Sequence, residues 1–235
     1  MNAERSDRMA ANLAAIRSRI AAASEAAGRT EAVTLVAVTK YAELDWVRGL
    51  RGLGIDDLGE ARPQQLAERV PLIDPPPRWH LIGQLQRNKV RSAIESLGPG
   101  GMIHSVDSVR LLDRIVAVAE SMGTPPPSLL LQVNITGEGS KSGFEPAAVA
   151  AALDRDAPVD GLMTMAARRT PDDPDGPRRA FDRLREIRDR LATPDRPLAT
   201  LSMGMSGDLE DAIAAGATHV RIGSALFEGL AAGST

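Results

Sequence analysis

The chain has no cysteine. That excludes a disulfide framework, a thiolate metal site and a cysteine nucleophile. Histidine occurs three times, at His80, His104 and His219, and no two of them have zinc-ligand spacing. Aromatic residues make up 3% of the chain, with Tyr41 as its single tyrosine. No basic surplus exists: the net charge is −3, which argues against nucleic acid or an anionic membrane as the main partner. No apolar run reaches membrane-spanning length, and the charged N-terminus lacks the apolar stretch of a signal peptide. The expected location is the cytoplasm.

Lysine is the most telling scarcity. Of 28 Lys and Arg residues, three are lysine: Lys40, Lys89 and Lys141. Arginine stays protonated near neutral pH, whereas a buried lysine can lose its proton and act as a nucleophile. Lys40 ends the apolar run Thr34-Leu-Val-Ala-Val-Thr-Lys40 and is expected to be a buried amine at the carboxyl end of a strand. Lys89 reads better as a solvated surface charge.

What is abundant is apolar periodicity, at 43% hydrophobic residues over a 235-residue chain. Met9, Leu13, Ile16, Ile20, Ala23 and Ala27 recur at helical spacing, so residues 3–27 are expected to be one amphipathic helix ended by Gly28. Eight short strands then alternate with helical patterns: 33–40, 55–59, 78–83, 102–106, 128–135, 159–165, 198–203 and 218–223. Several are apolar almost throughout, as parallel strands buried on both faces should be. The count fits an α/β fold of the (β/α)8 TIM-barrel type with an extra N-terminal helix, as one domain over 1–235. A doubly wound open sheet is the rival, but no GxGxxG follows the first strand.

Polar residues and glycines follow the strand ends, where such a barrel keeps its site. Ser206-Gly207 is expected to open a helix at 208–215 with Ser206 as its N-cap, and Gly223-Ser224 forms a turn beside it. Loops after strands seven and eight are the usual phosphate site of these barrels. Arg221 alternates inward from Val220 and Ile222, where a guanidinium needs an acceptor. Amine, anion cradle and inward arginine together describe a pocket for pyridoxal 5′-phosphate (PLP). Lys40 would form the aldimine, Ser206, Gly223 and Ser224 would hold the phosphate, and Arg221 would face the ring nitrogen. Met163, Met165, Met203 and Met205 are candidates for the cofactor face, with core filling as the commoner role of methionine. His80 and His104 read as satisfied core or rim histidines, and Asp107 as a helix cap.

Specific segments carry a family resemblance along essentially the whole chain. They are Leu35-Val-Ala-Val-Thr-Lys40, Gly59-Glu60, Trp79-His-Leu-Ile-Gly-Gln-Leu-Gln-Arg-Asn-Lys89, Ile103-His-Ser-Val-Asp107, Gln132-Val-Asn-Ile135, Ser140-Lys-Ser-Gly143, Gly161-Leu-Met163, Leu201-Ser-Met-Gly-Met-Ser206 and Arg221-Ile-Gly-Ser224. The chain resembles the pyridoxal phosphate homeostasis proteins of the YggS/PROSC type. The resemblance implies a barrel similar to the N-terminal domain of alanine racemase. It also implies PLP on Lys40, with Ser206, Gly223 and Ser224 at the phosphate and Arg221 at the ring nitrogen; of the methionines, Met203 is the one expected beside the cofactor. The implied role is to buffer the cofactor or deliver it to apo PLP-dependent enzymes without substantial turnover. One departure stands out: the family reads Gly-Glu-Asn after the second strand, and here Ala61 replaces the asparagine. Rival readings are a PLP-dependent racemase or decarboxylase and a Schiff-base aldolase or phosphosugar enzyme. Tyr41 is expected to point away from Lys40 by strand alternation, leaving no second acid/base for racemisation. Lys141, in the loop after the fifth strand, is a candidate secondary amine during cofactor release.

Overall fold

The computed structural model describes residues 2–137, 142–167 and 169–230. A long helix comes first, α1 (Ala3–Ala26), followed by strand β1 (Thr34–Val38) and helix α2 (Leu44–Gly52). Next come β2 (Asp57–Glu60), α3 (Pro63–Arg69), β3 (Arg78–Leu81), α4 (Val90–Leu97), β4 (Met102–Val106) and α5 (Val109–Met122). The chain continues through β5 (Ser128–Gln132), α6 (Val149–Leu153), β6 (Val159–Met163), α7 (Gly176–Leu191), β7 (Thr200–Ser202), α8 (Leu209–Ala214) and β8 (His219–Ile222). The eight strands are parallel and close in sequence order, with β8 paired back to β1. This is the (β/α)8 barrel expected from the alternation of apolar runs.

Most strands are shorter than the apolar runs that announce them, because those runs continue into the loop at the strand's carboxyl end; β4 matches its run, and β2 starts two residues and ends one residue later than expected. β1 stops at Val38, so Thr39 and Lys40 begin a turn rather than end a strand. The core has two compartments, as strand alternation requires. Between sheet and helices lies the large apolar layer, with Ala37, Leu58, Leu81, Ile103, Leu129, Leu131, Leu162, Leu201, Val220 and Ile222 from the strands. Inside the barrel, Met102, Leu130 and Met163 form a separate small cluster. The rest of the interior is polar to an unusual degree, and it includes buried His80, His104, Ser202, His219 and Arg221.

Helix α1 packs across α8 and the turn after β8, with Met9, Leu13 and Ile16 buried. Its polar residues reach the loops of the barrel rim. Asn12 Nδ2 donates to the carbonyls of Leu226 and Glu228, at 3.2 and 2.8 Å. Arg19 pairs with Glu210 at 2.7 Å and donates to the Ser206 carbonyl at 3.0 Å. No described helix is long and apolar enough to cross a membrane.

Candidate functional site

The carboxyl ends of β1, β7 and β8 bring four of the expected residues to one arc of the rim. Strands β1 and β8 pair with Val36 opposite Arg221 and Ala37 opposite Ile222. The next step sets Gly223 against Val38. A Cβ on Gly223 would lie 3.3 Å from the Val38 Cβ, closer than side chains normally pack, so glycine lets the two backbones approach.

Beyond the strands, the loops after β7 and β8 converge. Ser206 Oγ and Ser224 Oγ lie 3.5 Å apart. Among the described residues nothing stands within 4 Å of where a Cβ would sit on Gly207, the residue after Ser206, so the turn is open at that position. Gly204 is at φ +92, with a would-be Cβ 2.5 Å from Ala212; only glycine permits that bend.

Ser206 does not cap the following helix. The cap position is Asp208, and α8 begins at Leu209. Asp208 Oδ1 accepts the Met205 N–H across the turn, which leaves the Ser206 hydroxyl facing Ser224. Three acidic groups in this turn could oppose an anion, and each is otherwise engaged. Glu210 pairs with Arg19 and Asp211 with Arg169. Asp208 is bonded to the Met205 N–H, and burial raises its carboxyl above the ordinary range.

Arg221 points into the barrel and is 5% exposed. Among the described residues no carboxylate is hydrogen-bonded to it, and Asp208 acts on it only through its charge. Its Nη1 donates to Ser202 Oγ at 2.7 Å and its Nη2 to the Thr164 carbonyl at 3.0 Å. Burial lowers its pKa to about 10, which leaves it a cation at neutral pH.

Lys40 differs from expectation. It is exposed, one residue past buried Thr39, because the turn carries it out of the apolar strand. Its Nζ lies 5.1 Å from the centre of the Tyr41 ring, and Tyr41 is 81% exposed. The two side chains therefore meet instead of pointing apart, since strand alternation ends at Val38.

What holds this turn was not visible in the sequence. Arg69, from α3, donates to the Thr39 carbonyl at 2.7 Å and to the Ala42 carbonyl, bracketing Lys40 and Tyr41. The same guanidinium pairs with Glu60, which is fully buried and also accepts from Thr39 Oγ1. Burial raises the Glu60 carboxyl above its usual value. The Gly59-Glu60 motif thus serves the lysine turn, through a partner nine residues downstream. Ala61 is half-buried and Arg62 is exposed at the start of α3.

Other expected residues fall elsewhere. Met203 is fully buried in the layer between sheet and helices, so it does not line the rim. The cause is alternation: Ser202 points inward to His104 and Arg221, which turns Met203 outward. Met163 lines the barrel interior, while Met165 and Met205 are 39% and 40% exposed. The cap of α5 is Ser108, whose hydroxyl accepts the Leu111 N–H, and Asp107 accepts from Ser108 in turn. Lys89 is half-buried in the helical turn Arg87–Lys89. Lys141 lies outside the described residues.

This architecture has counterparts. Residues 7–230 match the family described as alanine racemase, N-terminal domain. A pyridoxal phosphate homeostasis protein of Pseudomonas aeruginosa is 40% identical over 93% of this chain and 94% of its own length. One from Deinococcus radiodurans is also 40% identical, over 92% of this chain and 97% of its own. Among solved structures, PipY of Synechococcus elongatus with PLP bound is 32% identical, with a TM-score of 0.77 over 93% of this chain and 99% of PipY. The chain belongs to the pyridoxal phosphate homeostasis protein family, within the class of alanine racemase N-terminal barrels.

Proposed function

We propose that the chain binds PLP at this rim and serves vitamin B6 homeostasis as a carrier that buffers the cofactor or hands it to apo PLP-dependent enzymes. The supporting observation is the convergence of Ser206 Oγ and Ser224 Oγ at 3.5 Å beside open space at Gly207. The inward Arg221 and the Lys40 turn stand on adjoining strands. The donor set fits the group. Two hydroxyls and the neighbouring backbone suit a phosphate, a primary amine suits an aldehyde carbon, and a guanidinium can face a pyridine nitrogen. In the bound state PLP would supply an electron-accepting ring and an amine-reactive aldehyde.

Within this reading Lys40 is the point of covalent attachment. Its exposure leaves the amine open to incoming cofactor and, equally, to an acceptor. Ser206, Gly223 and Ser224 hold the phosphate. Arg221 keeps positive charge near the ring nitrogen and opposes its protonation, which weakens carbanion stabilisation. That favours holding the cofactor over turning over amino acids. Borohydride reduction of the loaded protein, followed by peptide mass analysis, is expected to place a phosphopyridoxyl group on Lys40. Recovery of the label mainly on Lys89 would overturn the assignment.

A second reading, racemase-like turnover, draws support from one observation. Tyr41 lies alongside Lys40 instead of opposite it, so an acid/base group stands near the amine. Exchange of the Cα proton of L-alanine in deuterated water separates the two. The carrier reading expects exchange far below roughly 1 s⁻¹, the low end of ordinary enzymes.

A further inference from the structure

Two of the three histidines inside the barrel, His80 and His104, belong to a continuous line of contacts that cofactor binding by the rim does not explain. A guanidinium has only donors, so Ser202 Oγ must accept from Arg221 Nη1. The serine's own proton then goes to its other neighbour, His104 Nδ1, at 2.8 Å. With Nδ1 accepting, neutral His104 carries its proton on Nε2 and donates it to His80 Nδ1, at 2.8 Å. His80 in turn donates from Nε2 to Asp57 Oδ1, at 2.9 Å. In this arrangement every group on the line finds its partner, and every proton points toward Asp57. Burial above all holds His104 well below the usual histidine range, in keeping with a neutral ring.

The five residues come from β8, β7, β4, β3 and β2. Arg221 sits near the rim, and Asp57 opens β2 at the opposite end of the barrel. We propose that Ser202, His104, His80 and Asp57 form a positioning line that fixes the Arg221 guanidinium toward the cofactor ring, so that a change at Asp57 or His80 is felt at the cofactor. The inference rests on the reading that Arg221 faces a pyridoxal ring; the proton order along the line does not.

Two measurements on the full chain test it. The first needs no cofactor: nitrogen NMR of protein carrying ¹⁵N-histidine should show His80 and His104 protonated at Nε2 and bare at Nδ1. Asp57→Ala, at a side chain 20% exposed, should release that order and bring in Nδ1-protonated signal at His80. A wild-type His104 protonated at Nδ1 would overturn the proposal.

The second measurement is PLP affinity and the absorbance maximum of the bound form. His80 contacts neither Ser202 nor Arg221 in any hydrogen bond described. His80→Leu should nonetheless weaken PLP binding about fivefold, the size of one neutral hydrogen bond, and shift the absorbance in the same sense as Arg221→Lys. His80→Gln, whose side-chain carbonyl can accept from His104 Nε2, should restore both. If Arg221→Lys changes affinity and absorbance while His80→Leu and Asp57→Ala change neither, the line is refuted and the site stands. If Arg221→Lys itself changes neither, the reading of Arg221 at the ring falls, and the proposal falls with it.

Discussion

The turn that carries Lys40 and the loops that carry Ser206 and Ser224 adjoin on one rim, yet they are held by opposite means. The lysine turn is gripped from within by Arg69 and fully buried Glu60, whose contacts run to Thr39 and Ala42. The serine loops are tied from outside by α1, through Arg19 and Glu210, whose side chains are 39% and 51% exposed. A buried charge without its partner is costly, whereas an exposed pair contributes little. The amine is thus built into the stability of the barrel, while the anion cradle rests on contacts that can be lost cheaply.

Cutting the inner grip should have the largest effect. Arg69→Leu strands Glu60 in the interior and is expected to cost about 3–5 kcal/mol of stability, read as a lower urea midpoint. Replacing both partners, Arg69→Leu with Glu60→Leu, should recover much of that loss, because no unpaired charge remains. A single variant as stable as wild type would erase the contrast between the two regions.

Acid should reach the interior before the rim. Burial lowers His219 to about 4 and holds His104 low as well. A depressed histidine binds its proton more readily in the unfolded chain, so its neutral form leaves stability intact above about pH 6.5. As pH falls from there toward 4, the unfolded state gains protons that the fold refuses, and stability drops. For His219 the loss is about 3 kcal/mol. His219→Gln should flatten that stretch of the stability–pH curve; an unchanged slope would mean that His219 is not held neutral.

The cradle can be probed through its ligand. Several charge-assisted bonds converge on a phosphate, so pyridoxal without it should bind at least about tenfold more weakly, or about 1.4 kcal/mol. Equal affinities would move the anion site away from Ser206 and Ser224. The smallest effect belongs to the outer tie. Arg19→Ala removes a half-exposed pair and should change stability by at most about 1 kcal/mol, with PLP affinity falling only slightly. A loss matching that of Arg69→Leu would show that both regions are held alike.

The eight strands were legible because a parallel sheet buried on both faces demands near-continuous apolar runs. Six carboxyl ends were read one to three residues long, since apolar residues continue into the rim, while β4 ends where expected and β2 one residue later. The inward setting of Arg221 followed from alternation, and the burial of His80 and His104 agrees with their reading as core or rim histidines of strand segments. The same rule, extended past Val38, misplaced Tyr41 and hid the exposure of Lys40. Met203 was misassigned for a related reason: its motif neighbours reach the rim and the barrel interior, but its own parity turns it outward.

Residue type and period therefore determined which segments are strands, that Arg221 faces inward from strand eight, and that an amine and two serines follow strands one, seven and eight. Only barrel closure decided what those groups touch. Arg69 lies 30 residues from Thr39 and His104 lies 98 from Ser202. Local pattern encodes the direction of a side chain, whereas the partner it meets depends on how distant strands come into register.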